Sequence, residues 1–144
     1  MKKRILALTL SLLMLVLTGM TALPAAASDV APCYNNTVMA STNFVIQSNG
    51  VAQVYVSYIG YSGVTTGATI TIKLEKRFLG LFWKDVDIGE PNDTKTITVS
   101  DDQYDGIYSV QLPSDGTYRA TVKYVIRGTG GTADTIEHER EAKY

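Results

Sequence analysis

The sequence predicts an all-β protein built as a single antiparallel β-sandwich of seven to eight strands. Three observations carry this expectation. Apolar and polar residues alternate with a period of two through most of residues 42–144, and Gly-, Asn- and Asp-rich turn signals separate the alternating runs at short spacing. No run shows a convincing 3.6-residue apolar period of the kind a helix needs.

The elements follow in order. Residues 28–41 are expected to be a loose, flexible segment, because alternation has not yet begun. Asn43–Gln47 (NFVIQ) is a short apolar strand, and Asn49-Gly50 is the preferred pair for a tight hairpin turn whose two central residues need positive φ. Val51–Ile59 (VAQVYVSYI) is rich in β-branched and aromatic residues, as strands are, and the three glycines of Gly60–Gly67 end it. Ala68–Phe78 (ATITIKLEKRF) is the cleanest strand. Its Ile70, Ile72 and Leu74 point to a core, while Thr69, Thr71, Lys73, Glu75 and Arg77 point to water. The chain returns after Gly80 through Leu81–Ile88, where Phe82, Val86 and Ile88 share a face.

GEPND is a loop, Thr94–Ser100 alternates again, and DDQYDG is turn-rich. Ile107–Leu112 and, beyond PSDG, Thr117–Arg127 (TYRATVKYVIR) are further strands. Ala133–Tyr144 is expected as a strand although its charges suggest a helix at first sight. A turn centred near Gly130 sets Lys123 opposite Glu137 and Arg119 opposite Glu141. Opposite charges across a strand pair contribute about 0.2–1 kcal/mol each, and a two-residue slip would keep only one such pair.

The ends of the chain bear on location. Lys2, Lys3 and Arg4, the apolar run Ile5–Leu17, and Ala25-Ala26-Ala27 after Pro24 are the three parts of a secretory signal peptide, so residues 1–27 are expected to be cleaved off. The apolar run falls short of the ~20 residues that span a bilayer. No second apolar segment follows, which predicts an exported, extracellular protein whose mature chain has no transmembrane segment. Residues 42–144 are then one β-sandwich domain. Losing the three basic residues leaves ten Lys and Arg against 14 Asp and Glu, a net charge of about −4. That excess argues against nucleic acid as a partner and disfavours anionic membrane surfaces, since phosphate binding needs a cationic surface. Cys33 is the only cysteine, so no intrachain disulfide forms and stability must come from the core. Pro32 directly before it speaks against lipidation, and Cys33 reads as a free thiol.

Two resemblances emerge. Asp115-Gly116-Thr117-Tyr118-Arg119-Ala120 is similar to the start of strand F in immunoglobulin-like and fibronectin-type sandwiches, where a tyrosine hydrogen-bonds across the corner. Tyr118 matches that tyrosine, and Ala120 stands where antibody domains place a cysteine. The resemblance implies an immunoglobulin-like fold and nothing about function. The whole chain also resembles a group of small secreted all-β proteins of Firmicutes. The shared marks are the signal peptide, ATITIKLEKR, a W-x-x-V (Trp83 to Val86), and GTYRATVKY before a glycine-threonine turn and a short last strand. That resemblance implies export from a Gram-positive bacterium and brings no activity with it.

Catalytic constituents are scarce. His138 is the only histidine, which excludes two-histidine metal sites and leaves one His general base. It forms a nucleophile pair with Cys33 only if the N-terminal segment docks on the last strand. No G-x-S-x-G, S-x-x-K or P-loop occurs, so no enzyme and no cofactor is expected. Asp101, Asp102 and Asp105 in SDDQYDG are the candidate for a weak calcium site, against the plainer reading of a solvated turn.

Binding is the better prospect. Tyr55, Tyr61 and Trp83 are the candidate glycan-stacking face of a carbohydrate-binding domain, whereas Tyr58 shares parity with Val54 and Val56 and belongs to the core. In KRFLGLFWKDV (Lys76–Val86), parity buries Phe78 with Leu74 and Phe82 with Val86. Leu79, Leu81 and Trp83 are left over, and three large apolar groups make a patch that a monomer normally avoids. A bulge would instead turn Trp83 inward. This tip is the candidate contact for an unknown protein or a cell-surface glycan, in a secreted, non-enzymatic binding module.

Overall fold

The structure, a computed structural model, describes residues 33–144; the expected signal peptide and residues 28–32 lie outside the described residues. It is all-β. Eight strands run in order: β1 (Thr37–Ile46), β2 (Val51–Gly60), β3 (Thr65–Phe78), β4 (Phe82–Asp85), β5 (Thr94–Val99), β6 (Gln103–Gln111), β7 (Thr117–Gly128) and β8 (Asp134–Lys143), with a 3-10 turn at Pro91–Asp93. They form two antiparallel sheets, as a β-sandwich requires. One has the order β1-β2-β6; in the other, β3 pairs with β7 along one edge and with β5 and then β4 along the other, and β8 follows β7.

The alternation translates directly into the core. Val54, Val56 and Tyr58 from β2 meet Ile70, Ile72 and Leu74 from β3 and Tyr118, Val122, Tyr124 and Ile126 from β7, all shut off from water. Burying a tyrosine is favourable only if its hydroxyl finds a partner. All three do: Tyr58 donates to the Asp101 carbonyl at 2.6 Å, Tyr124 to the Ser41 carbonyl at 2.6 Å, and Tyr118 to the Ser114 carbonyl.

The last strand is a strand, in the expected register, with Lys123 opposite Glu137 and Arg119 opposite Glu141. The ion pairs differ from expectation. Arg119 reaches Glu75 on β3 and, diagonally, Glu139 on β8. Arg119 has a carboxylate directly opposite on each side, Glu75 on β3 and Glu141 on β8, and it pairs with the more buried of the two.

Several boundaries move. The chain is already in β1 from Thr37, so the flexible segment expected up to Ser41 is not loose over its last five residues. The cause lies far off in sequence. The Asp134 carboxylate accepts the Asn35 and Asn36 N–H groups at 2.9 and 2.7 Å and the Thr37 hydroxyl at 2.8 Å, which fastens the chain before β1. Four of the six residues of the turn-rich DDQYDG are strand, because β6 begins at Gln103, which pairs with Ile59 of β2. Asn49-Gly50 does not form the two-residue turn. Only Gly50 has positive φ (80°), and Gln47 bonds Val51 across a three-residue loop with the glycine at its bulge.

Candidate functional site

The two-residue turn with both central φ values positive occurs instead at Leu79 (51°) and Gly80 (71°), closed by the Leu81 N–H on the Phe78 carbonyl at 3.1 Å. It joins β3 to β4, and its position explains its surface. β7 accompanies β3 only as far as the pair Lys76–Tyr118, whereas β4 pairs with β3 through Arg77–Trp83 and Phe78–Phe82. Beyond Lys76 the hairpin is therefore a two-stranded overhang.

This geometry overturns one expectation. Phe78 and Phe82 have inward parity but no facing sheet, and they are 56% and 62% exposed. Leu79 and Leu81 at the tip are 74% and 76% exposed. Four large apolar side chains thus share one projecting end. Parity assigns a face, but whether that face is covered depends on how far the opposite sheet extends, and no local pattern reports that. The space beneath the overhang is a depression of about 380 Å³ lined by Lys76, Phe78, Lys84, Asp85, Val86, Asp87 and Pro113.

Trp83 lies on the outer face, as its parity predicts, but neither bare nor in the core. It is half-buried, with the guanidinium carbon of Arg119 4.6 Å and that of Arg77 5.4 Å from its ring centroid. Arg119 is itself held by Glu75 through hydrogen bonds of 2.9 and 2.6 Å. No bulge turns the indole inward.

The structure does not assemble a Tyr55–Tyr61–Trp83 glycan face. Tyr55 points outward from β2, in the three-stranded sheet, and donates to Gln53 at 3.1 Å. Trp83 points outward from the other sheet, on the opposite side of the sandwich, and Tyr61 sits in the turn after β2. Asp101, Asp102 and Asp105 are not gathered either. Asp105 stands on β6 opposite Ser57, while the carbonyls of Asp101 and Asp102 accept bonds from Tyr58 and the Gly60 N–H. Among the described residues no three Asp, Glu, His or Cys side chains are close enough to share a metal ion.

His138 sits on β8 opposite Val122, its Nδ1 3.2 Å from the Thr42 hydroxyl and its ring edge-on to Tyr124 at 5.7 Å. Burial, and secondarily the Arg140 charge, pushes its pKa below the ordinary value. Cys33 is exposed near the segment that Asp134 fastens, four residues of strand away from His138. No family model, curated protein or solved structure matches the chain.

Proposed function

We propose that this is an exported, non-enzymatic β-sandwich module that works by contact through the β3–β4 hairpin. The observation that carries the reading is the exposure of Phe78, Leu79, Leu81 and Phe82 together on one overhang. Leaving four such side chains in water costs solubility, and contiguous apolar patches on monomers commonly mark contact sites. The signal-peptide pattern of residues 1–27 supports export, and the resemblance to secreted Firmicutes proteins supports an extracellular location on a Gram-positive cell. A non-enzymatic role is supported by the one histidine being engaged with Thr42 and Tyr124.

We also assign the sandwich to the immunoglobulin-like group. The first, second and sixth strands share one sheet, and the third, seventh and eighth are consecutive in the other, which is how A-B-E and C-F-G strands are distributed. The Tyr118 hydroxyl bonds back to the Ser114 carbonyl four residues upstream, as the corner tyrosine of that group does.

The test is binding of the exported protein to the cells that make it, compared with a variant carrying Leu79→Asn, Leu81→Ser and Phe82→Ser. All three positions are exposed, so the variant keeps its fold. Loss of binding supports the hairpin as the contact; equal binding of both proteins sinks it.

A further inference from the structure

We propose that the occupant of this hairpin is an anionic lipid bilayer: Phe78, Leu79, Leu81 and Phe82 enter the boundary between headgroups and acyl chains, and Lys76, Arg77 and Lys84 meet lipid phosphates. The inference rests on the reading of the hairpin as a contact site and names its partner.

Shape is the first argument. The tip is convex and projects past β7, and nothing lies within 4 Å of where a Gly80 side chain would sit. A protein partner would need a pocket matched to four protruding side chains. A fluid interface needs none, and apolar groups on a basic element bind it through buried area plus attraction to anionic lipid.

Charge is the second. Lys76 and Lys84 stand directly opposite across the strand pair, where like charges disfavour a sheet, and the Lys76 ammonium reaches the Ser114 hydroxyl at 2.6 Å rather than any carboxylate. Arg77, on the other face of the hairpin, lies over the Trp83 ring. Among the described residues no carboxylate lies within ion-pair distance of these three cations, as is also true of Lys123, Arg127, Arg140 and Lys143, while Lys73, Lys95 and Arg119 each have at least one carboxylate partner. Acidic groups also stand at this end, since Asp85 and Asp87 line the depression together with Lys76 and Lys84. Asp85 holds Lys73 at 2.8 Å and Asp87 accepts the Gly89 N–H at 2.9 Å, while Asp115 precedes Gly116, which lies against the Lys76 side chain.

Part of the net acidity that disfavours anionic membranes lies far from the hairpin: Asp101, Asp102 and Asp105 belong to the start of β6, at the end of the sandwich away from it. Three cations without a carboxylate partner, Lys76, Arg77 and Lys84, flank the end where the apolar side chains are exposed. Trp83, half-buried beside those cations, stands where amphipathic indoles settle at a membrane surface.

The experiment is co-sedimentation with vesicles, using exported protein whose N-terminus has been read by mass spectrometry so that the apolar run Ile5–Leu17 is known to be absent. Vesicles are phosphatidylcholine alone, or phosphatidylcholine with a third of phosphatidylglycerol. Binding to the anionic vesicles is expected, with a blue shift of Trp83 emission and weakening at high salt. Neutralising all three cations (Lys76→Gln, Arg77→Gln, Lys84→Gln) should lower the partition coefficient on the order of 100-fold. Leu79→Asn with Leu81→Ser should lower it at least about tenfold. Equal binding to both vesicle types, or binding indifferent to either set of substitutions, overturns the proposal. So does absence of vesicle binding while the hairpin still governs attachment to cells, in which case the contact role stands and its partner is a protein or a glycan. Failure of both assays removes the contact role as well.

Discussion

The guanidinium carbon of Arg119 lies 4.6 Å from the centroid of the Trp83 ring, and the same guanidinium donates two hydrogen bonds to Glu75. One arginine from β7 thereby supports the outer face of the hairpin and neutralises a carboxylate that is nearly out of water. Arg119→Ala should destabilise the protein by about 2–3 kcal/mol, since it leaves the largely buried Glu75 with only the longer Lys73 contact at 3.7 Å. It should also shift Trp83 emission to the red, because the indole loses its cover. Urea unfolding followed by Trp83 fluorescence reads both effects; an unchanged midpoint would show that Glu75 is solvated after all.

Leu79 occupies a backbone conformation that suits it poorly. A positive φ costs an L-residue with a Cβ about 1–2 kcal/mol, and asparagine tolerates it far better. Leu79→Asn should therefore raise stability by about 0.5–1 kcal/mol while weakening any contact made by the tip. A stabilising substitution that harms function would identify Leu79 as a residue held for its side chain at the expense of its backbone. A lower denaturation midpoint would contradict the turn geometry.

Tyr118 is fully buried, and its hydroxyl meets the Ser114 carbonyl across the turn between β6 and β7. Tyr118→Phe keeps the ring and removes the bond, so the cost should be about 1 kcal/mol. Tyr124→Phe should cost more. Its hydroxyl bonds both the Ser41 carbonyl at 2.6 Å and the Thr42 hydroxyl at 2.7 Å, so its loss removes two bonds and leaves Thr42 with His138 alone. Thermal unfolding of the two variants gives the order.

His138 predicts a loss of stability on mild acidification. Burial and Arg140 lower its pKa in the folded state. As pH falls through the unfolded value of about 6.5, the unfolded chain binds a proton before the folded one does, so stability declines from there until the folded imidazole also protonates. His138→Gln should flatten the unfolding midpoint between pH 7.5 and 5.5, on the order of one pH unit either side of that value. An equal slope in both proteins would contradict the environment assigned to His138.

Asp134 acts lower on the pH scale. Burial alone would raise its pKa, but the N–H groups of Asn35 and Asn36 and the Thr37 hydroxyl outweigh that and hold it below the ordinary carboxylate value. Its contribution is complete above the unfolded value of about 3.9 and is lost as pH falls through the lower folded one. Asp134→Ala should cost about 2–3 kcal/mol at neutral pH by orphaning these donors. Hydrogen exchange should then show the start of β1 opening ahead of the rest of the sandwich.

Much of this molecule was legible from its alternation. The inward sets Ile70, Ile72, Leu74 and Tyr118, Val122, Tyr124 were readable because a strand's period of two is a local property of the chain. The register of β8 against β7 was readable from a turn centred near Gly130, with complementary charges as support, although the expected pairs Lys123–Glu137 and Arg119–Glu141 are opposite each other without forming ion pairs. The leftover apolar groups at Leu79 and Leu81 were readable for the same reason: they do not fit the alternation around them.

The tertiary structure alone decided where burial stops. Phe78 and Phe82 carry the parity of core residues and become surface because the facing sheet does not extend over the end of the β3–β4 hairpin, a matter of strand lengths set elsewhere in the chain. It alone decided that Tyr55 and Trp83 face opposite ways, since each outward direction depends on which sheet the strand joins. It also fixed the chain before β1, through a carboxylate 97 residues from the Thr37 hydroxyl it accepts. Local periodicity reports which side of a strand is apolar; only the packing of one sheet on another determines what lies against that side.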